Sequence, residues 1–226
     1  SYNPETGLVY LPAQEMSFPY SADDDFEVKS LAANLGVDTG VARLPDDPAV
    51  IAAVQEATRG HLAAWDPVAQ QERWRVQFPG PWNGGGLSTA GGLVFQGTAA
   101  GFFKAYDAST GEELWETPSQ TGIVAPPVTY EVDGEQYVTV MAGWGGIFPI
   151  ITGPLSLSSG PIRNVGRILT YKLGGESSLP ADNFIPAELP DLSALEIDEE
   201  LAEQGFLVYD RNCGACHGAG AIGSGV

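Results

Sequence analysis

The chain has 226 residues, including 29 glycines and 17 prolines, a content that favours turns and short strands over long helices. Ten basic residues oppose 29 acidic ones, and the net charge of −19 argues against nucleic acid and anionic membrane surfaces as partners, because phosphate binding requires clustered Lys and Arg. No apolar run approaches the roughly 18 residues that cross a bilayer, so we expect no transmembrane segment.

The first segments in chain order are a short β-rich stretch and a long interruption. Residues 1–13 (SYNPETGLVYLPA) are interpreted as the tail of a β-sheet unit whose copies follow. Residues 15–59 break the strand pattern and include an acidic triplet at 23–25 and a predicted short helix from Pro48 to Thr58. We interpret them as an insertion on one face of the sheets. The triplet is compatible with a cation site, although a solvated loop explains it better.

A repeat follows in the middle of the chain. Residues 60–74 (GHLAAWDPVAQQERW) align without a gap with residues 101–115 (GFFKAYDASTGEELW), 41 positions later. The copies share an Asp and a Trp, which are Asp66 and Trp74 in the first and Asp107 and Trp115 in the second. Each copy predicts a strand, a turn that begins at the Asp, and a second strand that carries the Trp. A period near 40 residues is typical of a four-stranded propeller blade, in which these Trp side chains would wedge between blades and the Asp side chains would end strands.

Three later segments extend the β pattern. The run LVFQGTA after Gly92 predicts a strand, and residues 129–140 predict a hairpin around the favoured Asp133-Gly134 turn. Residues 166–173 (GRILTYKL) resemble the start of the repeat 65 positions after its second copy. They predict a degenerate final blade that follows a loop insertion at about 143–165.

The composition changes after residue 173. Residues 174–195 are rich in Pro, Ser and acidic side chains, as expected of a linker. Residues 176–226 contain ten acidic residues and one basic residue, Arg211. A helix is predicted from Asp198 to Arg211, with acids in its first turn. We therefore divide the chain into a propeller part at 1–173, the linker, and a second domain at 196–226.

The strongest local motif is Cys213-Gly-Ala-Cys216-His217. Two thiols at this spacing reach the two vinyl groups of a haem, and the adjacent His can ligate its iron. The alternatives are a redox or structural disulfide and half of a zinc site. A zinc site needs two more ligands, and the only other histidine, His61, lies far back in the repeat. The predicted helix immediately before the motif favours covalent haem c.

The β pattern resembles a known family. The motif A-x-D-x-x-T-G-x-x-x-W, complete in AYDASTGEELW, resembles the tryptophan-docking motif of the pyrroloquinoline quinone (PQQ) dehydrogenases. SYNPETGLVYLPAQE, PWNGGGLSTAGGLVFQGTAAGFFKAYDASTGEELWE and APPVTYEVDGEQYVTVMAGWGG resemble the same family. With the C-terminal Cys-x-x-Cys-His motif, the chain resembles a quinohaemoprotein alcohol dehydrogenase. The resemblance implies an all-β partial propeller, eight-bladed in the intact family, followed by the truncated start of an α-helical cytochrome c domain.

The resemblance also implies cofactors and their contacts. The family binds PQQ on the propeller axis beside Ca²⁺, and its catalytic Asp base and calcium ligands are expected upstream of this sequence, so no catalytic residue is assigned within it. Trp144, Gly145 and Gly146 are the candidate PQQ contacts, since glycines allow close backbone approach to a ligand. Packing of the last blades explains Trp144 equally well. Trp82 and Asn83 are weaker candidates because a strand-entry turn also accounts for them.

The ends of the sequence suggest a fragment. It begins at Ser1 without an initiator Met and stops within a Gly-rich stretch. Only nine residues follow His217, and both methionines, Met16 and Met141, lie upstream of the motif. We therefore expect the sixth haem ligand to lie outside the sequence.

Two functions are compatible with these features. The first is a periplasmic enzyme that oxidises alcohols at PQQ and passes electrons through haem c to an acceptor such as a soluble cytochrome, a copper protein or a quinone. The second is a non-catalytic propeller scaffold fused to an electron-transfer cytochrome c domain. The Gly-rich aromatic loop in MAGWGG favours the enzyme. The acidic C-terminal quarter could dock a basic cytochrome, or serve only as a solubilising linker.

Overall fold

The computed structural model describes residues 1–17, 20–28, 34–38, 47–145, 164–181 and 196–213. Within these ranges eleven strands form three antiparallel sheets, and two helices lie outside them. The strands are β1 (Tyr2–Asn3), β2 (Leu8–Glu15), β3 (Arg59–Asp66), β4 (Gln71–Phe78), β5 (Gly86–Ser88), β6 (Leu93–Gly97), β7 (Phe102–Asp107), β8 (Glu113–Pro118), β9 (Val128–Val132), β10 (Glu135–Ala142) and β11 (Arg167–Lys172). The helices are α1 (Pro48–Ala57) and α2 (Glu199–Asn212).

Each sheet is a run of strands that are consecutive in the sequence. The first sheet has the order β1-β2-β3-β4, the second β5-β6-β7-β8, and the third β11-β10-β9. Successive four-stranded antiparallel sheets are the units of a β-propeller. The predicted partial propeller is confirmed, as is the hairpin at 129–140, whose turn has Asp133 and Gly134 at positive φ.

One prediction about the first sheet was wrong. Residues 1–13 are not the tail of a separate blade, because β2 pairs with β3 through Tyr10 and Ala64. They supply the first two strands of the same blade that holds the first repeat copy. The interruption at 15–59 falls between β2 and β3, and the sequence separation that it introduces hides the pairing.

The first and second sheets are joined by a Trp that contacts the next blade. The Trp74 indole N–H donates to the Ala108 carbonyl over 3.1 Å, and the Tyr10 hydroxyl donates to the same carbonyl over 2.9 Å. The ring of Trp74 lies against Gly111, where a Cβ would stand 2.6 Å from Cε3 of the ring. Gly111 also has φ +75°, which L side chains rarely adopt. The predicted role of Trp74 as a wedge between blades is confirmed.

The turn that receives Trp74 is held by an aspartate. Asp107 Oδ1 accepts hydrogen bonds from the backbone N–H groups of Ser109 and Thr110 and from the Thr110 hydroxyl, over 2.8–3.0 Å. These bonds hold the pKa of Asp107 below its ordinary value. Asp66 accepts two backbone bonds in the same way in the first sheet. The predicted structural role of both aspartates is confirmed.

The second and third sheets meet over an apolar cluster. Its buried members are Phe103, Ile123, Val138, Val140, Ala142 and Leu169. Trp115 contacts Tyr171 of the third sheet edge-on, with ring centroids 5.5 Å apart. Burial raises the pKa of Tyr171 to about 12. Trp115 therefore also packs between blades, as predicted.

Antiparallel pairing assigns the connections to opposite ends of the sheets. The segments that follow β1, β3, β5, β7 and β9 are short turns at one end. The segments that follow β2, β4, β6, β8 and β10 reach the other end, and they include the two longest connections between strands, 16–58 and 143–166. We call this end the loop face. Both candidate PQQ segments, 82–83 and 144–146, fall within connections on the loop face.

Gly111→Ala tests the contact between the first two blades. The added methyl meets the Trp74 ring, so the variant should lose about 1–3 kcal/mol more unfolding free energy than Gly134→Ala. Gly134 is the matched control because its φ is +82° and nothing lies within 4 Å of its Cβ position. Urea denaturation measures both variants; equal losses would mean that Trp74 does not depend on Gly111.

Asp107→Asn tests the turn through its pH dependence. The pKa of Asp107 is lowered in the folded state, so its carboxylate stabilises the fold above the unfolded pKa, and this contribution disappears as the pH falls through the folded pKa. The melting temperature of the variant should therefore fall less between pH 6 and pH 3 than that of the unchanged chain. Parallel curves from thermal unfolding would contradict this expectation.

Candidate cofactor site

Trp144 is the largest fully buried side chain among the described residues, and it lies on the loop face. It follows β10, is 1% exposed, and its ring rests on Gly122, where a Cβ would lie 2.8 Å from Cε2. Its backbone N–H donates to Asn164 Oδ1 over 2.9 Å. Its indole Nε1 is buried without a hydrogen-bond partner among the described residues. The side chain thus packs between blades and also holds an unused donor, a combination that suits a ligand oxygen.

The glycines beside Trp144 shape its backbone. Gly143 has φ +141° and donates its N–H to the Gly122 carbonyl over 2.8 Å. Gly145 has φ +33° and is exposed. Gly146 lies outside the described residues. The conformation therefore needs glycine at positions 143 and 145, as expected where a backbone must turn close to a ligand.

Trp82 and Asn83 occupy the connection between the first two sheets. Trp82 adopts φ +71°, unusual for a side chain of its size. Asn83 Nδ2 donates to the Gly80 carbonyl over 3.0 Å, and its Oδ1 accepts from the Ala99 N–H over 3.0 Å. Both ends of the Asn83 amide are thus used inside the loop, which fits the structural interpretation of this residue.

An open pocket lies beside Trp82 and Asn83. Its volume is about 290 Å³, and it is lined by Pro12, Ala13, Gln14, Trp82, Asn83 and Val124. Val124 also borders the other segment, since its Cγ2 lies 4.0 Å from the Cβ position of Gly145. The structure therefore brings the Trp82 and Trp144 segments to one region of the loop face.

The predicted haem motif begins at the end of α2. Asp198 caps the helix by accepting the Leu201 N–H over 3.0 Å, which confirms the predicted start. At the other end the Cys213 N–H donates to the Tyr209 carbonyl over 2.7 Å. Cys213 is a free thiol in the described part of the chain and is partly exposed. Cys216 and His217 lie outside the described residues.

The described residues contain neither a metal-binding cluster nor a membrane-spanning helix. Across the described ranges, no three His, Cys, Asp or Glu side chains cluster closely enough to hold a metal ion. Neither described helix has the length and apolar character needed to cross a bilayer.

Sequence reasoning missed the residues that support Trp144. Gln120, Thr121 and Gly122 belong to the connection between the second and third sheets, and they contact residues more than 20 positions away. These residues form a short polar run with a glycine after a strand, and such a run does not indicate in the sequence which distant residues it will contact. The positive φ of Gln120, +58°, is equally invisible in the sequence.

Comparison with known proteins identifies this arrangement. A model of the β-propeller domain of PQQ-dependent glucose, ethanol and alcohol dehydrogenases matches residues 53–138. The chain is 47% identical over 233 residues to quinohemoprotein alcohol dehydrogenase ADH-IIG of Pseudomonas putida, covering 100% of this chain and 31% of that protein. The solved structure of ADH-IIG matches with a TM-score of 0.82 at 44% identity, covering 100% of this chain and 33% of that one. The chain is therefore similar over its whole length to PQQ-dependent alcohol dehydrogenases.

These matches confirm the resemblance drawn from the sequence. A second relative, the dehydrogenase subunit of a quinone-type alcohol dehydrogenase of Gluconacetobacter polyoxogenes, is 42% identical over 231 residues and is covered to 31%. The chain thus spans about a third of the length of the curated relatives that it matches.

Gly122→Ala tests the support beneath Trp144. The methyl would collide with the indole ring, so the variant should lose about 1–3 kcal/mol of unfolding free energy and shift the fluorescence of Trp144. Gly166→Ala is the control, since nothing lies within 4 Å of its Cβ position. The Trp144 signal is obtained by subtracting the spectrum of Trp144→Phe. If both Ala variants show the same unfolding free energy and the same Trp144 fluorescence, the indole ring does not depend on Gly122 for its position.

Proposed function

We propose that this chain forms part of a quinohaemoprotein that oxidises alcohols at PQQ and delivers the electrons through haem c. Residues 1–173 contribute propeller blades, 174–195 a linker, and 196–226 the start of a cytochrome c domain. One observation carries the proposal: a propeller of the PQQ-dehydrogenase family and a Cys-x-x-Cys-His motif occur in the same chain. Its relatives bear names of quinohaemoprotein and quinone alcohol dehydrogenases.

PQQ would occupy the loop face. When bound, it supplies a quinone that accepts two electrons from the substrate. The buried Nε1 of Trp144 would donate to one of its oxygens, and Gly145 and Gly146 would allow the backbone to approach it. Trp82 would form the far wall of the pocket. These donors and aromatic surfaces suit a flat ligand that carries many acceptor oxygens.

The haem would be held at the end of α2. Cys213 and Cys216 would form the thioether bonds, and His217 would ligate the iron. Oxidation of an alcohol to its carbonyl product releases two electrons and two protons. A haem held there would pass these electrons one at a time to an external acceptor such as a soluble cytochrome, a copper protein or a quinone, and the protons would pass to solvent. Since haem c is attached outside the cytoplasm, the periplasm is the expected location.

The visible spectrum of the full-length protein, with PQQ and Ca²⁺ and a panel of primary alcohols, tests this function. The haem bands should change to the reduced form only when cofactor and alcohol are both present. A Cys213→Ala, Cys216→Ala variant should lose covalently bound haem. Haem that no alcohol reduces would instead support a scaffold fused to a cytochrome domain. The 226-residue chain by itself should show no turnover, because the Asp base and calcium ligands are expected outside it.

Trp144→Phe tests the cofactor contact. Loss of the indole N–H should weaken PQQ binding by the full-length protein about tenfold, the effect of removing one hydrogen bond to a charged or strongly polar ligand. Trp115→Phe, which alters an aromatic contact between blades, is the control and should leave PQQ affinity unchanged. The dissociation constant is measured by fluorescence titration of apoprotein with PQQ in the presence of Ca²⁺. Equal affinities of the two variants would show that Trp144 does not donate a hydrogen bond to PQQ.

A further inference from the structure

We propose that Gln120 is a positioning residue that fixes the segment leading to the haem motif against the loop beneath Trp144. This inference rests on the proposed function, because its consequence concerns the path of electrons between the two cofactors. Its structural part, the attachment of residues 174–181 to the propeller, depends only on contacts within the chain.

The loop from Ser119 to Ile123 is a rigid, buried element. Ser119, Thr121 and Ile123 are each fully buried. The Ser119 N–H donates to the Gly101 carbonyl over 2.8 Å, and the Ile123 N–H donates to the Thr98 carbonyl over 3.0 Å. These bonds fasten the loop to the second sheet, so groups that it carries have little freedom to move.

One side of this loop supports the candidate PQQ residue. Gly122 lies under the ring of Trp144, and its carbonyl accepts the Gly143 N–H over 2.8 Å. Thr121 Oγ1 accepts the N–H of Val165, which returns the chain to β11, over 3.1 Å. The loop therefore fixes both ends of the connection that contains Trp144.

The Gln120 side chain holds the linker. Its Oε1 accepts from Arg167 Nη2 over 2.6 Å, and its Nε2 donates to the Pro180 carbonyl over 2.7 Å. Leu179 packs against the apolar cluster between the second and third sheets. The first residues of the predicted linker are thus attached to the propeller by one hydrogen bond and one apolar contact.

The backbone of Gln120 makes this arrangement unusual. Its φ of +58° is a conformation that favours glycine, yet a long polar side chain occupies the position and both ends of its amide are bonded. A strained residue of this kind persists where the surrounding structure requires it. At Gln120 the side-chain contacts with Arg167 and Pro180 accompany this backbone conformation.

Attachment at Pro180 shortens the reach of the haem motif. Without the hydrogen bond at Pro180 and the apolar contact of Leu179, the last fixed residue would be Lys172, at the end of β11. Moving that point forward by eight residues reduces the maximum distance that Cys213 can reach from the propeller by roughly 28 Å, at about 3.5 Å per residue. Electron transfer slows steeply with separation, so this restriction favours a haem position close to the loop face.

Gln120→Gly tests the contribution of the Gln120 side chain separately from that of its backbone conformation. Glycine adopts the same φ without strain, so the loop should keep its fold while the hydrogen bonds to Arg167 and Pro180 disappear. Gln70→Gly is the matched control, because Gln70 also has a positive φ, +53°, in the turn between β3 and β4. The ¹⁵N relaxation order parameters of Ser178 and Leu179 in this chain should fall from about 0.85 to below about 0.6 in Gln120→Gly and stay unchanged in Gln70→Gly.

Stopped-flow spectroscopy of the full-length protein completes the test. In Gln120→Gly, reduction of the haem after alcohol oxidation should slow about fivefold, the change in docked population that follows loss of one net hydrogen bond, while the alcohol-driven step stays at the control rate. Unchanged order parameters of Ser178 and Leu179 would show that Gln120 does not attach the segment. Reduced order parameters with an unchanged rate of haem reduction would show that the attachment has no role in electron transfer. If no alcohol reduces the protein, the proposed function fails, whereas the relaxation data still decide whether Gln120 holds the segment.

Discussion

The contact of Trp74 with the Gly111 turn joins the first two sheets, and the stacking of the blades depends on contacts of this kind. The indole ring covers a backbone that carries no side chain, and its N–H satisfies the Ala108 carbonyl at the end of a strand. The Asp107 carboxylate holds that turn in shape from within. A flat ring, a missing Cβ and a side-chain-capped turn together fix the distance and angle between neighbouring sheets.

The stacking of the sheets determines which connections lie together and can form a binding site. Because the strands alternate in direction, the turn that receives Trp74 shares one face with the other short turns, and the connections between strands that exceed five residues share the other face. The buried loop 119–123 belongs to this second face and contacts both Trp144 and Pro180. A single rigid element can therefore support a cofactor contact and direct the chain that leads to the haem motif.

The sequence predicted most of this architecture because its signals are local. The Asp-to-Trp spacing of the repeat, the Asp133-Gly134 turn and the Asp198 cap each specify a conformation within a few residues. The pairing of residues 1–13 with β3 was missed because an insertion of more than 40 residues separates them. Gln120 was missed because its partners, Arg167 and Pro180, are 47 and 60 positions away. Such contacts arise only when the sheets stack.

We propose that the loop face, with Trp144 at its base, is the cofactor site of this propeller. A crystal structure of the full-length protein with PQQ bound tests it most directly. We expect the cofactor on the loop face, with one of its oxygens within hydrogen-bond distance of Trp144 Nε1. Cofactor density at the opposite face, among the short turns, would contradict the account.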